Sequence, residues 1–269
     1  MSRVIAIANQ KGGVGKTTTA INLGASLAVA EHRTLIVDMD PQANATSGLG
    51  ASRDGSTVYD ALVRGVPVKE CLQSGVAIPF LDLVPSTRDL VGAEIELVNA
   101  ASRETILRSA LDPVRDDYDF ILVDCPPSLG LLTLNTLTAA DSVLIPIQCE
   151  FYALEGLSQL LNTVRLVQRA LNTNLEIEGV LLTMYDSRLN LSKQVAAEAR
   201  EYFGERVYET LIPRNVRLAE APSFGQPILQ YDVLSSGAQC YLSLAKEIIA
   251  GRKPEAQEAS TSPVEVAGA

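Results

Sequence analysis

Lys11-Gly12-Gly13-Val14-Gly15-Lys16-Thr17-Thr18 is the stretch that decides the fold of this chain. An apolar run at residues 4–8 leads into it, and a helix-compatible run at residues 19–30 follows it. A strand, a glycine-rich loop and a helix in this order are the context that a phosphate-binding loop requires. Glycines let backbone N–H groups turn towards phosphate oxygens, and the helix N-terminus adds a positive partial charge. The residues predicted to bind nucleotide here are Lys11, Gly12, Gly13, Val14, Gly15, Lys16, Thr17 and Thr18.

The two lysines of this loop have different predicted roles. Lys16 is expected to reach the β- and γ-phosphates, and the Thr17 hydroxyl is expected to ligate Mg²⁺. The loop departs from the pattern G-x-x-x-x-G-K-[ST], because Gln10 stands at the first glycine position and Lys11 is an extra lysine. A second lysine would crowd Lys16 at the phosphates of its own loop. Lys11 is therefore either an ordinary surface lysine or, as we favour, a residue that reaches the nucleotide of a facing subunit in an ATP-sandwiched dimer.

The composition is that of a globular protein with a large core and an acidic balance. The chain has 269 residues, of which 47% are hydrophobic and 20% charged, and its formal net charge is −10. No apolar run approaches the roughly 18 residues of a membrane span, and the N-terminus lacks the pattern of a secretory signal. Cys71, Cys125, Cys149 and Cys240 form no C-x-x-C pair, so we interpret them as reduced packing residues. These features predict a cytoplasmic protein, and a single histidine, His32, argues against histidine-based catalysis.

Apolar segments alternate with helix-like segments along most of the chain. Several apolar segments are continuous, which is typical of strands covered on both faces, and the alternation indicates parallel βαβ units. We predict one α/β domain of the P-loop NTPase type over residues 1–251, with a mostly parallel, twisted central sheet flanked by helices on both faces. Residues 252–269 are rich in Ala, Glu, Ser and Pro and are predicted to form a disordered tail. The predicted strands are 4–8, 34–37, 80–84, 120–123, 142–147, 179–183 and 207–212, and the predicted helices are 16–30, 88–101, 102–111, 131–139, 153–171, 191–203 and 235–250.

Three aspartates follow predicted strands, at the edge of the sheet where open α/β folds bind ligands. Asp38 and Asp40 come at the end of the second strand, and Asp124 ends a later one. An apolar strand that ends in aspartate is typical of an acid that holds Mg²⁺, so we assign the metal to Thr17 and Asp124. Asp40 is predicted to orient the attacking water, and Asp38 is the alternative for that role or orders the water shell of the metal. Each aspartate alone could simply cap a strand or helix, but together with the glycine loop they predict a catalytic site with Lys11, Lys16 and Asp40.

Five segments of the sequence resemble the ParA/Soj family of partitioning ATPases. The loop at residues 11–18, Asp38-Met39-Asp40-Pro41-Gln42-Ala43-Asn44-Ala45-Thr46 and Asp124-Cys125-Pro126-Pro127-Ser128 look like its deviant Walker A, A′ and B motifs. Leu182-Thr183-Met184-Tyr185-Asp186-Ser187-Arg188 and Ile212-Pro213-Arg214-Asn215 also resemble that family. The similarity covers roughly residues 3–250.

This resemblance implies an ATP-driven cycle on DNA. ATP and Mg²⁺ join two subunits with Lys11 across the interface, and the homodimer binds double-stranded DNA of the nucleoid without sequence preference. A ParB/Spo0J-type centromere-binding partner stimulates the weak intrinsic hydrolysis, after which the dimer separates and leaves the DNA. The resemblance also implies that Pro213 and Asn215 lie near the adenine and that Arg188 and Arg217 contact DNA. Local positive charge alone adds Lys193, Arg200 and Arg206 to the predicted DNA-binding residues, although the chain as a whole is acidic.

Three alternative functions use a similar loop. A MinD-like ATPase would position a membrane or protein cargo, but residues 251–269 show no amphipathic membrane helix, so we predict no membrane partner. An iron–sulfur carrier needs paired cluster cysteines, which the spacing does not offer. A metabolic kinase or ligase would need an acceptor pocket, which the sequence leaves open. No separate DNA-reading domain precedes Met1, so we expect no binding to a specific operator.

Overall fold

A six-stranded parallel sheet forms the centre of the computed structural model, which describes residues 2–150 and 155–251. The strand order is β3-β2-β4-β1-β5-β6, and every neighbouring pair of strands runs in parallel. The prediction of one α/β domain with a parallel central sheet is thereby confirmed. The strands are β1 (Arg3–Ile7), β2 (Thr34–Asp38), β3 (Leu81–Val84), β4 (Phe120–Asp124), β5 (Ser142–Gln148) and β6 (Glu176–Thr183).

Helices cover both faces of this sheet, and two of the predicted ones, at 88–101 and 102–111, are much shorter in the structure. Among the described residues the α-helices are α1 (Lys16–Val29), α2 (Asn44–Gly48), α3 (Val58–Val63), α4 (Val68–Cys71), α5 (Leu90–Glu96), α6 (Ile106–Leu111), α7 (Leu131–Ala139), α8 (Glu155–Ala170), α9 (Asn190–Phe203), α10 (Val216–Glu220), α11 (Ile228–Tyr231) and α12 (Ser236–Ala250). Five 3₁₀ segments join them, at Leu97–Asn99, Arg103–Thr105, Asp112–Asp117, Gly204–Arg206 and Ala221–Phe224. None of the helices in the described part of the chain has the length and apolar character needed to cross a bilayer.

The strands are continuously apolar because each one contributes side chains to two separate hydrophobic cores, one on each face of the sheet. Along β1, Val4 and Ala6 belong to the core under α3 to α9, whereas Ile5 and Ile7 belong to the core under α1 and α12. Successive side chains of a strand point to opposite faces, so a sheet covered on both sides needs apolar residues at every position.

All four cysteines are free, and burial raises the pKa of the Cys125 thiol to about 12, which keeps it protonated and unreactive as a packing residue.

The predicted seventh strand at residues 207–212 is wrong. This segment forms scattered backbone hydrogen bonds with β6, from the N–H groups of Tyr208 and Ile212 to the carbonyl oxygens of Val180 and Leu182, and an isolated bridge between Val180 and Val207. The backbone N–H groups of Glu209 and Thr210 donate instead to the Glu247 carboxylate of α12, at 3.1 and 2.9 Å. A side chain from a helix thus takes the hydrogen bonds that a strand would have needed, and the segment stays outside the sheet.

The predicted helices at 88–101 and 102–111 are also wrong in their extent. The first is reduced to α5 and the 3₁₀ turn Leu97–Asn99, and the second begins as the 3₁₀ turn Arg103–Thr105 before α6. Ser102 lies between them in the left-handed conformation, with φ of 53°, which ends any continuous helix. Five helices of four to six residues, namely α2, α3, α4, α10 and α11, were not predicted, because such lengths show no helical period. The predicted start of α8 at Ala153 and the predicted tail at 252–269 lie outside the described residues.

Two glycines meet backbone to backbone between the turn after α2 and the turn before α11. Gly50 and Gly225 both have left-handed backbones, with φ of 64° and 66°. A Cβ atom on Gly225 would lie 2.8 Å from the Cα of Gly50, and one on Gly50 would lie 3.0 Å from the carbonyl oxygen of Gly225. Only glycine at both positions fits this contact without displacing a backbone. It joins the loop that follows Asp40 to the segment that follows Arg217.

Candidate functional site

The glycine-rich loop lies at the carboxyl end of β1, between the ends of its two neighbours β4 and β5. Gly13 and Gly15 have positive φ angles of 75° and 89°, and Gly15 caps the N-terminus of α1. The hydroxyl of Thr183, at the end of β6, donates a hydrogen bond of 2.8 Å to the carbonyl oxygen of Val14 and anchors the loop. The loop therefore has the geometry of an anion-binding turn that opens onto the N-terminus of a 14-residue helix.

Lys16, the first residue of α1, is buried below this loop with 7% of its surface exposed. Its Nζ donates to the carbonyl oxygen of Lys11 at 3.1 Å, so the amine lies inside the curve of the loop. Burial lowers the pKa of Lys16, and the nearby Asp124 carboxylate is the strongest of the charges that oppose this shift. The hydrogen-bond acceptor of this amine is a neutral carbonyl oxygen. A phosphate bound in the loop would give the amine a negatively charged acceptor.

Lys11 is half-buried at the entrance of the loop. Its backbone N–H donates to the Asn9 side-chain oxygen at 3.0 Å. Within residues 2–150 and 155–251, its side-chain amine makes no hydrogen bond or ion pair. This amine is thus available to a partner outside the chain, and its predicted contact with the nucleotide of a second subunit stays a prediction.

Asp124 ends β4 and is fully buried beside the loop. Its register partners are Ile7, the last residue of β1, and Asp38, the last residue of β2. Neither of its carboxylate oxygens has a full hydrogen-bond partner in the described part of the chain. Burial raises the pKa of Asp124 well above its usual range, and Asp38 adds to that rise. The Thr17 hydroxyl lowers the pKa through a contact that falls short of good hydrogen-bond geometry.

This orphaned carboxylate fits a divalent cation. A buried carboxylate without a partner is rare and costly, and a hard cation such as Mg²⁺ would pair with it. The described residues contain no group of three or more His, Cys, Asp and Glu side chains that could hold a metal alone. Thr17 and Asp124 would therefore supply only part of the coordination sphere, and nucleotide phosphates and water would complete it, as Mg²⁺ prefers.

Asp38 and Asp40 differ in how many of their carboxylate oxygens already accept a hydrogen bond from the protein. Asp38 Oδ2 accepts hydrogen bonds from the backbone N–H and the hydroxyl of Thr46, at 2.8 and 2.7 Å, and its Oδ1 accepts from the backbone N–H of Asp40 at 3.2 Å. Burial raises the pKa of Asp38 to about 6 in spite of these hydrogen bonds. Asp40 Oδ1 accepts from the backbone N–H of Gln42 at 2.9 Å, and its Oδ2 has no hydrogen-bond partner among the described residues. Asp40 thus keeps a free oxygen, whereas both oxygens of Asp38 have protein donors.

A cavity of about 210 Å³ opens beside the glycine loop. Pro213 and Asn215, the residues expected near the adenine, line it together with Gly15 and Thr18 of the loop. Asn215 also orders its own turn, because its Oδ1 accepts from the backbone N–H of Arg217 at 2.8 Å. The remaining lining residues are Thr183, Met184, Ile212, Arg214, Leu218, Ala219 and Tyr241.

Tyr241 and Met184, two of these lining residues, were not predicted to contact a ligand. Tyr241 lies in the middle of α12, where its spacing resembles any core position, and its hydroxyl lies 3.2 Å from that of Thr19. Met184 has a left-handed backbone with φ of 51°, which is uncommon for a residue with a side chain. Its place directly after β6, inside a segment that resembles the family, was the only available hint.

The five predicted DNA-binding residues have unequal surroundings. Arg188, whose side chain is 87% exposed, binds both carboxylate oxygens of Asp186, and this lowers the pKa of Asp186 to about 2. Arg217 donates to Glu220 at 3.0 Å and lies 3.7 Å from Asp232. Arg200 lies 3.8 Å from Glu209.

Lys193 and Arg206 differ from the other three. In the described part of the chain, neither side chain has an ion pair. Lys193 lies in the first turns of α9, whereas Arg206 follows its end and lines a groove with Arg165 of α8. Arg206 therefore lies at the other end of α9 from Lys193.

Comparisons with known proteins give a consistent picture. A family model described as an AAA domain matches residues 2–177. The chain is 58% identical over 257 residues to the chromosome partitioning protein ParA of Myxococcus xanthus, covering 95% of this chain and 90% of that one. It is 60% identical over 252 residues to the sporulation initiation inhibitor protein Soj of Bacillus subtilis, covering 93% and 99%. The solved structure of cobyrinic acid a,c-diamide synthase from Mycobacterium smegmatis, with a bound ATP analogue and magnesium, superposes with a TM-score of 0.80 at 38% identity, covering 93% and 95%.

Proposed function

The chain belongs to the ParA/Soj family of chromosome-partitioning ATPases, and from this premise we propose that ATP binding and hydrolysis switch it on and off DNA. It is an ATPase that uses ATP and Mg²⁺. The proposed cargo is a DNA molecule, chromosomal or plasmid, that must be moved or positioned during segregation.

The loop and its neighbours support a division of labour in hydrolysis. Lys16 and the loop amides bind the phosphates of ATP and neutralise their charge. Thr17 and Asp124 would hold Mg²⁺, which when bound neutralises charge on the phosphate oxygens. The free Oδ2 of Asp40 accepts a hydrogen bond from the attacking water and holds it in line with the terminal phosphate.

Dimer formation through ATP is proposed for Lys11. Its amine is not engaged by the described part of its own chain, and Lys16 already serves the phosphates from inside the loop. Gly12 and Gly13 beside it are exposed, so a second subunit can approach this side of the loop closely. In the proposed dimer, Lys11 donates to the phosphates bound by the other subunit, and separation follows when hydrolysis removes the terminal phosphate.

The DNA contact is proposed for Arg188 and Arg217, with Lys193, Arg200 and Arg206 as weaker additions. A homodimer doubles every one of these contacts, and phosphate contacts add in the salt dependence of binding. This doubling offsets the net charge of −10, which by itself opposes DNA binding. A ParB-type centromere-binding protein is the proposed partner that accelerates hydrolysis, and the proposed location is the nucleoid in the cytoplasm.

The observation that carries the proposal is the Lys11 amine, which has no hydrogen bond or ion pair to the described residues and lies at the entrance of the phosphate-binding loop, in a chain 60% identical to Soj. The test is DNA binding by the full chain without nucleotide, with ADP and with ATP–Mg²⁺, on unrelated duplexes at two salt concentrations. Binding that needs ATP, ignores sequence and weakens with salt would support the switch. If ATP drives dimerisation but no state binds DNA, the cargo is a membrane or a protein, as for a MinD-like ATPase.

A second candidate is an ATP-dependent ligase. The observation that favours it is the 38% identity to a protein described as an a,c-diamide synthase, which acts on a small molecule. The two partitioning proteins are much more similar, at 58% and 60% identity. ATP turnover decides between the two candidates, because duplex DNA with a ParB-type protein should accelerate a partitioning ATPase, whereas cobyrinic acid should accelerate the synthase.

A further inference from the structure

We propose that Thr46 is a positioning residue for ATP hydrolysis, because its hydroxyl fixes Asp38 and Asp38 in turn fixes Asp40. The inference rests on the proposed role of Asp40 as the carboxylate that orients water. Thr46 would not touch ATP or water itself. Its effect would pass through the carboxylate of Asp38 to the backbone of Asp40.

The hydroxyl of Thr46 bonds on both sides inside a fully buried site. It donates to Asp38 Oδ2 at 2.7 Å and accepts from the backbone N–H of Ser86 at 2.9 Å. The backbone N–H of Thr46 donates to the same Asp38 oxygen at 2.8 Å. Only a hydroxyl can donate and accept at once in so small a space, so serine is the one close replacement.

Asp38 in turn restrains Asp40, the residue proposed to orient the attacking water. Its other oxygen, Oδ1, accepts from the backbone N–H of Asp40 at 3.2 Å. The carbonyl oxygen of Asp40 accepts from the backbone N–H of Ala43 at 2.8 Å, so the backbone of Asp40 is held on both sides. The path of hydrogen bonds therefore runs from Ser86, which follows β3, through Thr46 and Asp38 to Asp40.

Within the described residues, this path makes no hydrogen bond to the phosphate loop, and it meets the proposed metal ligands where Asp38 lies beside Asp124 in the sheet register. The phosphate loop is anchored by Thr183 and Lys16, and neither contacts Thr46. Without the hydroxyl, Asp38 would lose one donor and the backbone N–H of Ser86 would lose its acceptor, so the Asp38 carboxylate could rotate. A displacement of about 1 Å in a positioned group can cost ~100-fold in rate. The loss should therefore fall on kcat and leave ATP affinity nearly unchanged.

The test compares three variants in steady-state ATP hydrolysis by the full chain. Thr46→Val removes the hydroxyl at nearly constant volume and should lower kcat by about 10- to 100-fold, with KM for ATP within about twofold. Thr46→Ser keeps the hydroxyl and should restore kcat to within about threefold of the unmodified protein. Thr34→Val is the matched control, because its hydroxyl is equally buried at the other end of β2 and donates only to the carbonyl oxygen of His32, at 3.0 Å.

The outcomes separate this inference from the proposed role of Asp40. An unchanged kcat in Thr46→Val, or a fall equal to that in Thr34→Val, would overturn the inference. An Asp40→Ala variant that hydrolyses ATP at the normal rate would instead overturn the role of Asp40. Should Thr46→Val fail to fold, Thr46→Cys takes its place, because a thiol is only a weak donor. A normal kcat in Thr46→Cys would count against the inference in the same way.

Discussion

The ionisable groups beside the phosphate loop and the arginines at residues 188–217 differ in how deeply they are buried and whether they are paired. Asp124 and Lys16 are buried, and the described residues leave the Asp124 carboxylate without a full hydrogen-bond partner. Arg188 and Arg217 are exposed and already paired with carboxylates. A buried carboxyl group without a hydrogen-bond partner is costly and points to a missing ligand, whereas an exposed ion pair contributes little to stability and competes with a ligand. The nucleotide site therefore needs a ligand to satisfy its buried carboxyl group. DNA that binds these two arginines, in contrast, first has to displace the carboxylates that already pair with them.

The largest effect is expected from Asp40→Ala, which removes the carboxylate proposed to orient the attacking water through its free Oδ2. Hydrolysis should fall by about 10²- to 10⁴-fold, since the attacking water loses its acceptor. ATP binding should remain, so the variant should accumulate as an ATP-bound dimer. The measurement is single-turnover hydrolysis together with the oligomeric state in ATP. If this variant turns over normally, Asp38 becomes the better candidate, in spite of its occupied oxygens.

Lys16→Ala tests whether the buried amine is committed to phosphate. ATP affinity should fall by about 100-fold, because a charge-assisted contact to the phosphates is lost. Equilibrium binding of a fluorescent ATP analogue measures this directly. Lys193→Ala, which removes an exposed amine from α9, should leave nucleotide affinity unchanged. Normal ATP affinity in Lys16→Ala would contradict the assignment of the loop.

Lys11→Ala sharpens the comparison between the two lysines of the loop. It should weaken ATP-dependent dimerisation by about 30-fold, since a charged contact across the interface is lost, while much of the ATP affinity of the monomer remains. Sedimentation velocity with ATP in the Asp40→Ala background would measure the effect without interference from hydrolysis. An unaltered dimer would leave Lys11 as an ordinary surface residue.

The smallest effect is expected from Arg188→Ala on the exposed surface. Non-specific DNA affinity should fall about fivefold, because each subunit of the proposed dimer loses one phosphate contact, for which Asp186 already competes. The slope of log affinity against log salt should become less steep by about 0.9 for each lost contact. Arg169→Ala, at an exposed position of α8, is the matched control. Equal slopes in the two variants would exclude Arg188 from the DNA surface.

Features that depend on neighbouring residues could be predicted from the sequence, whereas contacts between distant residues could not. The glycine loop and the place of Asp124 at the end of a strand follow from local patterns, because a strand, a turn and a helix fix them within a few residues, whereas the strand order was not predicted. The hydrogen bonds from residues 209 and 210 to Glu247 join positions nearly forty apart, and no local pattern reveals them. The path from Ser86 through Thr46 to Asp38 is hidden for the same reason, since it depends on two loops that meet only in the folded chain.

The pairing of the arginines was hidden for a different reason. Asp186 stands two residues before Arg188 in the sequence, but only the turn after β6 brings its carboxylate onto the guanidinium. Arg217 meets Asp232 across the turns that lead to α11, at a distance that composition does not reveal. The family resemblance therefore predicted two arginines for DNA contact, whereas the fold pairs both of them with carboxylates.

The contact between Gly50 and Gly225 has a consequence for how such a chain can diverge. Each position lacks room for even a methyl group because of the other, and each also has a backbone conformation that L-residues avoid. A Cβ atom at either position should therefore push apart the loop after Asp40 and the segment after Arg217, which makes glycine the favoured residue at both.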